Sequence, residues 1–405
     1  MPKRYKEDPL WVGAEYAGVH VREVNRGTVA AMLAHFLSGE RHAPLHYRYF
    51  VRVLIAGYDA MKGLRNVVRI SVPPGGRITV VGDLHGQFFD LAGILARRGL
   101  PSPVNYFLFN GDFVDRGSHS TEVLLTVYAL KALYPGYVFL NRGNHETAMQ
   151  NKMYGFANEL RAKNKYPPEA AEFVAQAYHC LPLAHVINDK IFVVHAGLSL
   201  GPNGAPKRVR SLADIDRFGD VPEGPNAMCG LLWADLLEEP GTAPSRRGVD
   251  ADSFGPDVTA RFLRENDLEL LVRSHESREN GVSFQQAGLA ITVFSAPNYV
   301  KSENKGGIVA FESPEFVPIF HRFISYKSMG AAAVLKAARE TVKGIESDEN
   351  ALGPEGGERE IEIYSDDNDD VYFNDSMDKI FEENDDVVFN QELLPPPEPK
   401  KAKMD

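Results

Sequence analysis

Three loops, GDLHG (82–86), GDFVDRG (111–117) and GNHE (143–146), each follow a short apolar run that reads as a strand. They place Asp83, His85, Asp112, Asn144 and His145 at successive strand ends. As a set these residues cannot be core packing, because buried carboxylates and imidazoles are costly unless paired or bound to a cation. A dinuclear metal site accounts for all of them. Asp83 and His85 flank one residue between Gly82 and Gly86, so both side chains can turn toward the same cation. Asp112, with two carboxylate oxygens, suits a bridge between two cations, and Asn144 adds a neutral oxygen. His195, ending IFVVH, and His275, closing LVRSH, stand at further strand ends and complete a second site. Mixed carboxylate, amide and imidazole donors suit manganese, iron or zinc better than magnesium or calcium alone. Two divalent metal ions are expected, and the donors leave manganese, iron and zinc open.

Two cations ~3.5–4 Å apart can hold a bridging hydroxide at neutral pH and clamp the oxygens of an in-line phosphoryl displacement. Single-step hydrolysis of a phosphate ester is the natural use of such a site. Its transition state calls for cationic clamps, and Arg116 and Arg273 lie in the loops that carry Asp112 and His275. The alkoxide leaving group needs a proton, which His145 can supply if Asp115 holds its imidazolium. The alternative is that His145 is a further metal ligand and Asp115 only a loop ion pair.

The elements that must hold these loops follow from periodicity. Ile78–Val81, Tyr106–Phe109 and Val138–Leu140 read as strands, separated by helical stretches near 88–98 and 120–133, a βαβαβ rhythm. Ile191–Val194, Leu270–Val272, Ile291–Phe294 and Ile308–Phe311 read as later strands. The candidate ligands therefore sit at C-terminal strand ends, where open α/β sheets bind ligands. Upstream, Val29, Met32, Leu33, Phe36 and Leu37 predict an amphipathic helix with Thr28 as its N-cap. A second helix is expected from Pro44 to near Gly63, with Tyr47, Val51, Leu54, Ile55, Tyr58 and Met61 on one face. The expected organisation is an N-terminal helical segment (1–75) packed on a catalytic domain (76–330), followed by an acidic, disordered tail (340–405).

The 405-residue chain carries a formal net charge of -11. Residues 346–405 hold 20 Asp and Glu against 5 Lys and Arg, which leaves about +4 for residues 1–345. That charge is small for a nucleic-acid binder of this size, and no recognition motif accompanies it. Two cysteines, Cys180 and Cys229, exclude a disulfide framework and suit a reduced compartment. The chain has no apolar run of roughly 18 residues and no apolar leader, so neither a membrane nor secretion is expected, and a cytoplasmic place, with the nucleus as a second, is. In the tail, Asp366–Asp378 fails as an EF-hand loop because Val371 stands where glycine is needed. Acidic runs at 366–370 and 382–386 are candidate substrate mimics, and Val371–Phe373 and Val387–Phe389 are candidate docking motifs for regulatory proteins.

With LVRSHE (271–276), SAPNY (295–299), YGF (154–156), FGPDVT (254–259) and the segment leading into GNHE, the three loops closely resemble the phosphoprotein phosphatase family of serine/threonine phosphatases. The resemblance covers residues ~45–325 and is nearest to a subfamily that usually carries tetratricopeptide repeats, a domain absent here. It implies an α/β fold of four layers, two central mixed sheets flanked by helices. It also implies that Asp83, His85 and Asp112 hold one metal, and Asp112, Asn144, His195 and His275 the other. Arg116, Arg273 and Asn144 would meet the phosphate, Tyr299 the substrate groove, and His145 with Asp115 the leaving oxygen. Departures are HAGL at 195–198 for the usual HGGL, Val300 for a frequent cysteine, and WADL at 233–236 for WSDP. None removes a ligand or the proton donor. The resemblance thus points to a metal-dependent phosphatase acting on phosphoserine and phosphothreonine in proteins. A metallophosphoesterase acting on nucleotides or dinucleoside polyphosphates is the second enzymatic reading, and an inactive phosphatase-like scaffold is the non-enzymatic one.

Overall fold

The computed structural model describes residues 9–10, 12–13, 15–39, 42–221, 226–328 and 330–350. The helices are α1 (Arg26–Phe36), α2 (Tyr47–Asp59), α3 (Phe88–Arg98), α4 (Ser120–Leu133), α5 (Ala148–Tyr154), α6 (Phe156–Asn158), α7 (Ala170–Tyr178), α8 (Ala227–Trp233), α9 (Pro256–Glu265) and α10 (Ala331–Ser347). The strands are β1 (Val67–Ile70), β2 (Arg77–Val81), β3 (Asn105–Phe109), β4 (Val138–Leu140), β5 (Ala184–Ile187), β6 (Ile191–Val194), β7 (Thr242–Pro244), β8 (Asp252–Phe254), β9 (Leu270–Arg273), β10 (Val282–Gln285), β11 (Ala290–Val293), β12 (Gly306–Glu312) and β13 (Pro318–Phe323). Among the described residues no helix is long and apolar enough to cross a membrane.

Two mixed sheets form the centre, one ordered β1-β5-β6-β9-β11-β10 and the other β13-β12-β2-β3-β4, with β7 and β8 as a separate ribbon. Strand periodicity decides what each face does. Ile191 and Val193 join Ile78, Val80, Leu108, Ile291 and Val309 in the core between the sheets. Their neighbours Phe192 and Val194 point the other way, into a core covered by Met228 and Leu231 of α8 and Phe262 of α9. Strands β2, β3 and β4 run parallel. Their crossover helices α3 and α4 therefore cover the remaining face of that sheet, because parallel neighbours require a crossover and one face is already taken. The outcome is the four-layered α/β arrangement.

The strands expected from the apolar runs are present within a residue or two, but β1, β5, β7, β8, β10 and β13 are additions. Of these, β1 and β5 are only four residues long, and their apolar character is interrupted by Arg69 and His185. Helix α1 begins earlier than expected. Asn25 is its N-cap, accepting from the Thr28 amide, while the Thr28 hydroxyl accepts from the Asn25 amide, so Thr28 is the inner half of a capping box. Helix α2 starts at Tyr47 with the His46 ring as its cap and stops at Asp59, so Pro44 and Gly63 lie outside it. The tail expected from residue 340 also starts later, since α10 continues to Ser347. Ala338, Val342 and Ile345 are buried against α1, α3 and α4, which gives the helix a reason to persist. The Asp348 carbonyl accepts from Arg26 at 3.1 Å and its carboxylate from the Tyr134 hydroxyl at 2.9 Å. The acidic runs and docking motifs at 366–389 lie outside the described residues.

The N-terminal segment is held to the body by a buried ion cluster. Glu122 of α4 meets His42 at 2.9 Å and Lys163 at 2.8 Å. Burial pushes the Glu122 carboxyl up, but the His42 hydrogen bond and the Lys163 charge outweigh it and bring it down to about 2. Because the folded value lies below the unfolded one, the stabilisation is complete above an unfolded value of ~4.5 and disappears as pH falls from there toward 2. Glu122→Gln should cost on the order of 2 kcal/mol at pH 7. Thermal unfolding of both proteins between pH 7 and pH 3 should show that gap closing on the acid side.

Candidate active site

All six expected metal ligands meet between the two sheets. Asp83 leaves β2 and pairs through its backbone with Phe294 at the end of β11, which joins the sheet edges at this point. The amides of Leu84 and His85 both donate to the Asp112 carbonyl at 2.9 Å, locking the first two loops together. Gly143 permits the third loop to approach: a Cβ there would lie 2.3 Å from Oδ1 of Asp112. His85, Asp112, Asp115, Arg116 and His275 all have left-handed backbones, with φ of 43, 51, 70, 68 and 68°. Such conformations cost ~1–3 kcal/mol each in non-glycine residues and concentrate at functional sites.

The donor atoms fall into two clusters that share Asp112. Oδ2 of Asp112 is 3.6 Å from Nε2 of His85, which is 3.7 Å from Oδ2 of Asp83. Oδ1 of Asp112 is 3.4 Å from Nε2 of His195. Oδ1 of Asn144 then lies 2.9 Å from that nitrogen and 2.8 Å from Nδ1 of His275. The carbonyls of Val114 and Asn110 face Nδ1 of His85 and His195, at 3.1 and 2.8 Å. A neutral ring donating to each carbonyl presents an unprotonated Nε2 to the cluster.

This arrangement fits a pair of cations and is poorly satisfied by protein alone. Burial pushes His85, His195 and His275 well down, so protons are disfavoured on the rings. Burial pushes Asp83 up to about 7 and Asp112 well up, the latter also because Asp83 and Glu146 stand close. Oδ2 of Asp83 and Nε2 of His275 are buried with no hydrogen-bond partner. Lone pairs and carboxylates turned on one another without enough protons are the donor set of a divalent metal pair.

His145 stands beside the first cluster, where it, His85 and Asp112 offer ligand atoms within 4.8 Å of one another. Its Nδ1 is 2.7 Å from Oδ2 of Asp115. Asp115 in turn accepts from the Phe156 amide at 3.0 Å and Asn151 at 3.1 Å. Burial and then the charges of Arg116 and Arg247 push His145 down to about 3, while burial pushes Asp115 up to about 7. An ionised Asp115 favours the imidazolium, and an arriving phosphate adds negative charge in the same sense.

Arg116 is exposed and lies over the Tyr154 ring at 3.7 Å, and the Tyr299 ring stacks on His85 at 4.7 Å. Arg273 is buried, its guanidinium donating to the carbonyls of Ala196 and Ala234 and to Glu276. The sequence reading missed three contributors. Glu146 accepts from the amides of Asp112, Phe113 and Gly143 at 2.7 to 2.9 Å, pinning two ligand loops to each other. Asn110 donates to the Val194 carbonyl and to Ser274, tying β3 to the strands that carry His195 and His275. Arg247 forms a two-pronged bond with Asp235 at 2.7 and 2.9 Å and adds a third cation near the site. Glu146 and Asn110 each stand next to a recognised motif residue or glycine, but nothing in the spacing of Arg247 marks it.

The Calcineurin-like phosphoesterase family model matches residues 76–279, and the chain belongs to that family. It is 46% identical over 312 residues to serine/threonine-protein phosphatase 5 of Solanum lycopersicum, covering 76% of this chain and 54% of the relative. It is 39% identical over 318 residues to serine/threonine-protein phosphatase 5 of Homo sapiens, covering 78% and 62%. A solved Saccharomyces cerevisiae protein serine/threonine phosphatase, described as similar to human phosphatase PP5, superposes with a TM-score of 0.64 at 40% identity, covering 69% of this chain and 90% of that one. The family resemblance seen in the motifs is thus borne out, and the subfamily it was nearest to is that of phosphatase 5. The chain spans about half the length of the first curated relatives it matches.

Proposed function

We propose that this protein is a metal-dependent protein serine/threonine phosphatase that hydrolyses phosphoserine and phosphothreonine in a single step. The observation that carries the reading is the Asp112 carboxylate, whose two oxygens face separate imidazole clusters 3.6 and 3.4 Å away, with the His145–Asp115 pair beside them. Asp83, His85 and Asp112 would hold one divalent ion, and Asp112, Asn144, His195 and His275 the other. Bound there, the ions supply Lewis acidity and an activated water. Manganese is the proposed pair, with iron or zinc as alternatives that the same donors accept.

The chain's own groups do the rest. Arg116 and Arg273, with Asn144, hold the phosphate oxygens, and Tyr299 lines the approach. His145 gives its proton to the departing serine or threonine oxygen, so the products are the free hydroxyl and inorganic phosphate, and Asp115 holds the ring in orientation. Phosphopeptide turnover by manganese-loaded protein should exceed turnover of a dinucleoside tetraphosphate by at least about tenfold in kcat/KM. The reverse preference would make the protein a nucleotide phosphoesterase.

Residues 1–75 are proposed as a helical brace that ends in the edge strand β1, residues 76–330 as the catalytic domain, and the acidic stretch beyond α10 as a docking segment for regulatory proteins. Capture of a partner that is lost on truncation after residue 350 would test the last of these. A cytoplasmic and nuclear location accords with the cysteine usage, and imaging of the tagged chain tests it.

A further inference from the structure

A groove of about 390 Å³ runs along the outer edge of the six-stranded sheet, and its lining shares no residue with the metal site. Arg65 and Arg69 stand on its strand side and Arg208 and Arg210 across it, against one lining carboxylate, Glu265. Arg69 also meets Asp189, and Arg208 meets Glu265 at 3.5 Å. Counted by its lining side chains, four arginines and one glutamate, the groove is net positive. All four arginine residues are exposed, while Val67 and Val209 give the groove an apolar floor.

The edge itself is usable. β1 is the outermost strand. The carbonyls of Asn66 and Ile70 accept from Ala184 and Asn188, so residues 66, 68 and 70 turn their peptide groups toward β5. By strand alternation the peptide groups of Val67 and Arg69 face outward, beside the groove. Val67 is in register with Ala184 and Ala184 with Val194, the residue before His195. This end of β1 is therefore level with the metal site, two strand spacings or ~10 Å across the sheet.

We propose that this groove docks a carboxylate-rich segment of a phosphoprotein substrate, added as a strand on β1. Outward amides and carbonyls of the edge bind its backbone, the arginine forks bind its carboxylates, and the valine floor takes alternate side chains. A peptide fits better than a nucleic acid because no aromatic side chain lines the groove to stack bases. The docking itself is independent of the phosphatase reading, which supplies only its purpose.

The test uses a fluorescent peptide alternating Glu and Val, with anisotropy read on the full chain. Arg208→Glu together with Arg210→Glu should weaken binding at least tenfold and raise KM for a phosphopeptide bearing the same extension. Turnover of p-nitrophenyl phosphate should stay within twofold. N-methylation of alternate peptide amides should abolish binding. Unchanged affinity in the double variant overturns the proposal, as does displacement of the peptide by inorganic phosphate, which would place it in the metal site. Tighter arginine-dependent binding of single-stranded RNA at equal charge also overturns it. If circular dichroism shows the double variant misfolded, Arg69→Gln and Arg210→Gln separately should each weaken binding, and no change in either counts against the groove.

Discussion

Asp112→Asn should lose at least one of the two metal ions per chain and lower kcat by a factor of about 10³ or more. The substitution keeps the volume of the side chain, and removes the negative charge that two imidazole clusters share. An amide has one oxygen and one NH2, so whichever way it turns, a donor faces either His85 or His195, now at 3.6 and 3.4 Å from carboxylate oxygens. The amide NH2 would also stand where a cation is needed. Metal analysis of the purified variant, beside kcat on a phosphopeptide, measures both effects. Full metal content with wild-type turnover would remove Asp112 from the bridging position. The backbone should tolerate the change: the Leu84 and His85 amides bond the Asp112 carbonyl, and an amide oxygen left at the Oδ1 position still accepts from the His145 amide, now at 2.9 Å.

His145→Gln should leave the metal content intact and reduce kcat on phosphoserine peptides by roughly 10²–10⁴, the range for loss of a general acid. The loss should be much smaller with p-nitrophenyl phosphate, because p-nitrophenolate departs without a proton. Asp115→Asn should follow the same leaving-group pattern with a smaller drop, since the ring remains and only its 2.7 Å partner changes. A metal-poor His145→Gln protein that keeps its turnover once reloaded would instead make His145 a ligand, in keeping with its place near His85 and Asp112. Equal losses for both leaving groups would point to positioning rather than proton donation.

The legibility of this site in the sequence was uneven for identifiable reasons. Metal donors are chemically rare as a set and stood at strand ends, four of them beside a glycine, so Asp83, His85, Asp112, Asn144, His195 and His275 could be picked out and do converge. Arg273 was found as well, but its burial among Ala196, Ala234 and Glu276 could not be read from a strand-end position. Glu146 and Arg247 matter through contacts that depend on loop conformation, and a carboxylate or arginine in a loop is ordinarily just solvated. Helix α10 was not expected at all, for another reason. Its buried face is made of small or widely spaced residues, Ala338, Val342 and Ile345, among Lys336, Arg339, Glu340 and Lys343, and burial against α1, α3 and α4 supplies what the weak pattern does not advertise.

By itself, the sequence determined the donor types, the strand ends that bear them, and the reaction such donors serve. Those follow from side-chain chemistry and from periods of two and 3.6 residues, both local properties. Only the tertiary structure decided which oxygen of Asp112 faces which imidazole, that Asp115 stands 2.7 Å from the His145 ring, and that Glu146 clamps two loops. His275 donates its amide to Asp83 across 192 residues of chain at 3.1 Å. Such contacts are set by how two hydrophobic sheets pack face to face. Ligand chemistry is decided by tenths of an ångström, and no spacing along the chain carries that information.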